Sequence, residues 1–271
     1  MLPGSPLHLA TLQLGSGPLV FESPHSGSAY PPDFGFCCPL DELRGAEDTH
    51  VETLWGFAAD LGHSLLCARF PRTYIDVNRG LGEGRDPAGA AGRHAQLGMG
   101  LFWTRTLRGS EIYMHPPRPE ELGRRIERCW RPYHALLSHA IAQAHAAHGW
   151  SMHVSCHSMP SDARLYAREC PGWTPTDFVV GDGEGRHADP AIAQAVAQFL
   201  RGEGWTADVN HPFRGAELLR QHGDPQRHRH SIQIEVRKDL YMDEATLLPH
   251  DGAAVLARSL RGVVRMLASW R

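Results

Sequence analysis

The sequence contains no CxxC pair, and its six cysteines (Cys37, Cys38, Cys67, Cys129, Cys156, Cys170) show no repeated spacing. Neither a zinc ribbon nor a disulfide framework is suggested, so reduced thiols in a cytoplasm are expected. No apolar run approaches the roughly 18 residues a spanning helix needs, and residues 1 to 6 show no basic segment leading into an apolar one. A soluble cytoplasmic protein without a membrane partner is the expectation. An excess of positive charge is also missing: 27 Lys and Arg face 30 Asp and Glu, a net charge of -3. That balance argues against a nucleic-acid partner, and the cluster Arg227-His228-Arg229-His230 is too short to change it. Small polar molecules remain as expected partners. No GxSxG elbow is present, so serine hydrolysis has no support. The stretch Gly181-Asp182-Gly183-Glu184-Gly185 carries two acids and no following lysine, which does not suit phosphate.

A chain of 271 residues, 42% hydrophobic and 21% charged, can bury a full core. No repeat or linker divides it, and a single domain over residues 1–271 is expected. Short apolar runs predict strands over 19–22, 64–70, 73–78, 150–156, 177–180, 206–210 and 231–237. Longer amphipathic stretches predict helices over 47–61, 119–147, 190–202 and 251–269, the third opening on a cap, Asp189, followed by Pro190. Strands separated by helices of this length point to an α/β fold, with a mixed, mostly parallel twisted sheet flanked by helices on both faces. The glycine-rich stretch from Gly80 to Gly100 suits a long irregular loop, either a binding flap or a surface excursion. His134, His139, His145 and His148 fall on the long helix, where a solvated face is expected.

Two of the eighteen histidines stand at strand ends, where ligands collect in open α/β sheets. His25 follows Leu19-Val20-Phe21 in the turn Ser23-Pro24-His25-Ser26-Gly27, and His157 ends the run Val154-Ser155-Cys156. Cys156 points away from His157 and is expected in the core. Two neutral imidazoles on one metal call for an anionic third ligand, and two histidines with one carboxylate and an open fourth position form a common catalytic zinc set. Glu47 or Asp48, at the start of the first predicted helix, can supply it, although acids there also complement the helix dipole. Arg69, Arg72 and Arg79 interleave with apolar residues over 69–79, where buried guanidinium needs an anion. An internal bridge from Asp76 is expected for one of the three, and Asn78-Arg79 suits a carboxylate clamp. In the run 231–237, Gln233, Glu235 and Arg237 share a face opposite Ile232, Ile234 and Val236; in a central strand Glu235 is placed to accept a proton from water.

Taken together, SPHSG at 23–27, the acidic turn ending in Asp48, ARFPRTYIDVNR at 68–79, CHSMPS at 156–161 and QIEVRKDLYMDE at 233–244 resemble the N-formylglutamate amidohydrolase family, block by block and in order. The family is related in fold to zinc carboxypeptidases and aspartoacylase. The resemblance implies a carboxypeptidase-like sheet and one catalytic Zn2+, with another divalent metal as an alternative. It implies His25, Asp48 and His157 as metal ligands, with Glu47 kept as the alternative acid. The carboxypeptidase relatives place their glutamate ligand three positions after the first histidine, and Ser28 stands there in this chain. The resemblance also implies Glu235 as general base, Arg72 facing the scissile carbonyl, and Asn78 and Arg79 on one substrate carboxylate. Arg220 is assigned to the second carboxylate. The implied reaction releases formate and glutamate from N-formylglutamate, within histidine breakdown. Another N-acyl amino acid, a peptide carboxyl terminus, or a non-catalytic binding role on the same fold are the competing readings.

Overall fold

The computed structural model describes residues 9–82, 94–166 and 170–270. Among the described residues, seven strands form one sheet in the order β1-β3-β2-β4-β7-β5-β6: β1 Ala10–Gln13, β2 Leu19–Ser23, β3 Ser64–Ala68, β4 Ser151–Met159, β5 Phe178–Gly181, β6 Ala207–Val209 and β7 Arg229–Arg237. The β3-β2-β4-β7 run and the β5-β6 pair are parallel, while β1 joins β3 and β5 joins β7 antiparallel, so the expected mixed, mostly parallel sheet is present. Parallel strands need crossovers, and helices supply them on both faces.

The pleat sorts each central strand into two sets. Leu19, Phe21, Met152, Val154, Cys156, Ile232, Ile234 and Val236 pack one face against helices at Val51–Trp55, Phe57–Asp60, Pro190–Gly202 and Gly252–Ala268. Cys156 is fully buried there, as expected. The opposite face carries Glu22, His153, Ser155, His157, Ser231, Gln233 and Glu235, all buried. Its cover includes Tyr133, His134 and Leu137 from the helix Arg131–His148 and Leu218 and His222 from Glu217–His222. A polar stripe under a hydrophobic roof is expensive unless its members satisfy one another, so the sheet itself marks this face for chemistry.

Several expected elements differ. Residues 73–78 form no strand. Asp76 Oδ1 accepts from Asn78 N at 2.9 Å and Asp76 O from Arg79 N at 3.1 Å, so a local side-chain turn outcompetes a ladder despite the β-branched residues. The helix expected from Glu47 starts at Val51, because His50 takes the left-handed conformation with φ 67°. The helix at Pro190 begins as expected, with Asp189 accepting from Ala191 N. The long helix runs from Pro119 to His148 with one wide turn over Ile126–Trp130. Its histidines do not form a uniformly solvated face: His134 is buried, bonded to Val77 O at 2.8 Å and stacked on Trp130. Strand β1 escaped the sequence reading, being a four-residue edge with half-buried alternation. Of the glycine-rich stretch, residues 83–93 lie outside the described residues.

Candidate active site

Strands β2, β4 and β7 run parallel, so their carboxyl ends open on the same side of the sheet. His25 lies two residues beyond β2, and His157 and Glu235 face each other in register on β4 and β7. Asp48 arrives from the loop before Val51, its backbone N–H bonded to His25 O at 3.0 Å. His25, Asp48 and His157 are all buried, with ligand atoms within 4.8 Å of one another. Asp48 Oδ2 sits 3.1 Å from His157 Nδ1 and 3.4 Å from His25 Nδ1. Donors placed tetrahedrally around zinc at about 2.1 Å are about 3.4 Å apart, which these separations match. His25 Nδ1 is buried and has no hydrogen-bond partner. An unpartnered imidazole nitrogen beside a carboxylate in a buried site is a donor set that fits a divalent cation.

The choice between the two acids is geometric. The Glu47 carboxylate turns away, accepting from Tyr30 Oη at 2.6 Å and Arg44 Nε at 3.4 Å. The residue at the start of the following helix is His50, which makes no side-chain capping bond, and the Asp48 carboxylate is turned to the histidines. Although burial opposes its charge, the neighbouring imidazoles of His157 and His25 hold its carboxyl well below the usual range.

Each histidine has a partner on its far nitrogen. His25 Nε2 meets Asp76 Oδ1 at 2.8 Å, and the other Asp76 oxygen accepts from Arg72 Nη2 at 2.9 Å and Nε at 3.3 Å. The expected internal bridge to one arginine is therefore Arg72–Asp76. Asp76 stays ionised despite burial because His25, Arg72 and Arg79 hold its pKa well below the ordinary value. Arg72 also lies over the Trp103 ring, 5.1 Å from its centroid, and interacts with Asp48 and Glu235. On the other histidine, Nε2 meets Ser155 Oγ at 2.9 Å.

Glu235 is 7% exposed and accepts from Gln233 Nε2 at 2.8 Å. Burial, opposed by His157 and reinforced by Asp48, pushes its carboxyl up to about 7, with Arg72 and Lys238 pulling it back. A carboxylate that exchanges protons near neutrality beside a metal-type cluster is suited to general base work.

The comparisons with known proteins bear on what this assembly is. The family model of N-formylglutamate amidohydrolase matches residues 17–242. The chain belongs to the N-formylglutamate amidohydrolase family. Relatives named N-formylglutamate deformylase include one from Pseudomonas aeruginosa, 31% identical over 93% of this chain and 92% of that protein. Another, from Pseudomonas putida, is 28% identical and covers 94% of both chains. The crystal structure of an N-formylglutamate amidohydrolase from Ralstonia eutropha JMP134 superposes with a TM-score of 0.89, at 39% identity, covering 97% of this chain and 98% of that one. Membership of this family makes the protein a hydrolase of an amide bond.

Other residues of the family blocks occupy distinct positions. Asn78 Oδ1 accepts from Leu218 N at 3.1 Å, so the amide oxygen caps the helix Glu217–His222. Arg79 Nη1 donates to Asn78 O at 3.2 Å and Arg79 O accepts from Trp130 Nε1 at 2.9 Å, tying this pair to the wide turn of the long helix. Arg220, by contrast, is forked onto Glu217 through Nε at 2.8 Å and Nη2 at 2.6 Å, with its side chain 65% exposed. The structure ties its guanidinium to that neighbour and does not bring it into the buried cluster.

Two contributions escaped the sequence reading. Asp76 was seen only as an arginine partner, although it also orients His25. Lys238, the single lysine of the sequence, is buried and donates to Glu47 O at 2.6 Å, while Tyr241 Oη donates to Thr49 O at 2.9 Å and His50 Nε2 meets Leu247 O at 2.8 Å. The segment after β7 thus pins the loop that carries Asp48. The only advance signal was a lone lysine inside an otherwise Arg-based chain. Among the described residues no helix is long and apolar enough to cross a membrane.

Proposed function

We propose that this chain hydrolyses N-formyl-L-glutamate to formate and L-glutamate, using one Zn2+ held by His25, Asp48 and His157. The observation that supports this most is Glu235, buried in register with His157 on the neighbouring strand, within a chain of the N-formylglutamate amidohydrolase family. Zinc bound there supplies Lewis-acid activation of water and of the carbonyl oxygen.

Glu235 accepts a proton from the attacking water as its oxygen bonds to the formyl carbon. As the C–N bond breaks, the same carboxyl returns that proton to the leaving nitrogen. Arg72, held by Asp76 and Trp103, directs its guanidinium at the oxygen on which negative charge develops. Asn78 and Arg79 hold a substrate carboxylate. Because the Asn78 carbonyl is occupied by Leu218 N, its NH2 is the end left to donate.

Formate release from N-formylglutamate, measured beside N-acetylaspartate and a dipeptide with and without chelator, tests the proposal. Chelator-sensitive turnover fastest on N-formylglutamate is expected. Preference for either competitor would move the protein to another N-acyl or peptide substrate, and turnover indifferent to chelator would remove the metal.

A further inference from the structure

The two candidate ligand histidines are backed differently. His25 meets a carboxylate directly, whereas His157 meets a serine. Ser155 lies two residues before His157 on the same face of β4 and pairs in register with Glu22 on β2. Its hydroxyl donates to Glu22 Oε1, and Tyr133 Oη donates to Glu22 Oε2. His153 Nε2 lies 3.5 Å from Glu22 Oε1, and its Nδ1 meets Ser231 Oγ at 2.7 Å. Glu22, Ser155 and Tyr133 are fully buried and lie deeper in the sheet than the reacting groups.

A purely structural account of Glu22 is costly. Replacing a buried polar cluster with packed apolar residues is often neutral or stabilising, so a charge kept beneath a central sheet calls for a reason. The proton positions supply one. The Ser155 hydroxyl spends its hydrogen on Glu22, so it accepts from His157; with a cation taking up the Nδ1 lone pair beside Asp48, His157 would carry its proton on Nε2 and donate it to Ser155 Oγ. The hydroxyl accepts on one side and donates on the other, so the chain has a single direction, from ligand to buried anion. Such an outer partner fixes the tautomer and ring orientation of a metal ligand and raises its basicity.

We propose that Glu22, acting through Ser155, is a positioning residue for His157, giving this histidine at second hand the carboxylate that Asp76 gives His25 directly. The inference rests on the reading of His157 as a metal ligand. Tyr133 holds the far oxygen of Glu22 and has no contact in this chain of bonds to His157 itself, so it serves as an internal control.

The test uses the full-length protein and zinc alone, with the dissociation constant measured by competition against a chromogenic chelator and the melting temperature of the metal-free protein recorded alongside. Ser155→Ala and Glu22→Gln are each expected to weaken zinc binding by about 10- to 100-fold. The double variant should bind zinc no more weakly than Ser155→Ala, because both changes cut the same connection. Tyr133→Phe should lower the melting temperature while leaving the zinc constant within about threefold of the parent. The proposal is overturned if Ser155→Ala binds zinc like the parent, if the two losses add, or if Tyr133→Phe weakens zinc as much as Ser155→Ala. Ser155→Ala, which removes only one oxygen, carries the test should Glu22→Gln not fold. A parent protein that takes up no zinc overturns the ligand reading and this inference with it, whereas a parent that binds zinc but releases no formate overturns only the substrate.

Discussion

Replacing Glu235 by Gln keeps the shape of a side chain that is 7% exposed and removes only its ability to carry charge and take a proton. Two effects follow, with opposite signs. In the metal-loaded protein, loss of the proposed general base is expected to cost about 10²- to 10⁴-fold in kcat, with KM less affected because the proposed carboxylate contacts, Asn78 and Arg79, are unchanged. In the metal-free protein the same change stabilises. An ordinary glutamate titrates near 4.5 and the buried Glu235 near 7, so between those values the folded state holds a proton that the unfolded state has released. Stability therefore falls as pH rises through that window, and the full cost, about 3 kcal/mol at about 1.4 kcal/mol per pH unit, is present above pH 7. Glu235→Gln should match wild type near pH 4 and exceed it by up to about that amount at pH 8. Denaturant unfolding in excess chelator at the two pH values reads the second effect; formate release with metal analysis of the same preparation reads the first. Wild-type turnover in the variant would refute the base, and a variant no more stable than wild type at pH 8 would refute the burial argument.

Three more outcomes follow from the geometry. His157→Ala and Asp48→Ala should lose stoichiometric zinc by metal analysis, whereas Glu47→Ala, whose carboxylate faces Tyr30 and Arg44, should retain it. Asp76→Asn should weaken zinc by about 10- to 100-fold through His25. It should also flatten acid unfolding below pH 4: the depressed Asp76 pKa gives stability that is present above the ordinary aspartate range and lost as pH falls, and the amide has no such dependence. Arg79→Ala should raise KM for N-formylglutamate by about tenfold or more, as expected for loss of a charge-assisted contact. Arg220→Ala, already paired with Glu217, should change KM by less than about threefold; a tenfold rise would restore Arg220 as the ligand of the second carboxylate.

Much of the candidate site is legible in the sequence. The strand-end histidines, the Asn-Arg pair and the alternation around Glu235 were visible because period two and turn residues are local properties, and the family blocks tied them together. The order of the acids was not. Glu47 and Asp48 are adjacent, and only a left-handed residue at 50 and three anchors from beyond β7 decide which faces the histidines. The strand expected over 73–78 failed for a related reason: Asp76 bonds its own backbone two residues on, a competition that β-propensity does not register.

What the sequence alone determined is the alternation: which side chains of β2, β4 and β7 share a face, and that this face is polar where its reverse is apolar. Only the tertiary structure decided that those three strands lie side by side, with Glu22 opposite Ser155 and His157 opposite Glu235. Pleating is set by each residue's own backbone, but neighbours in a parallel sheet are joined through crossovers and paired by long-range packing. The register that turns two separated histidines and a glutamate into one site is therefore a property of the whole fold.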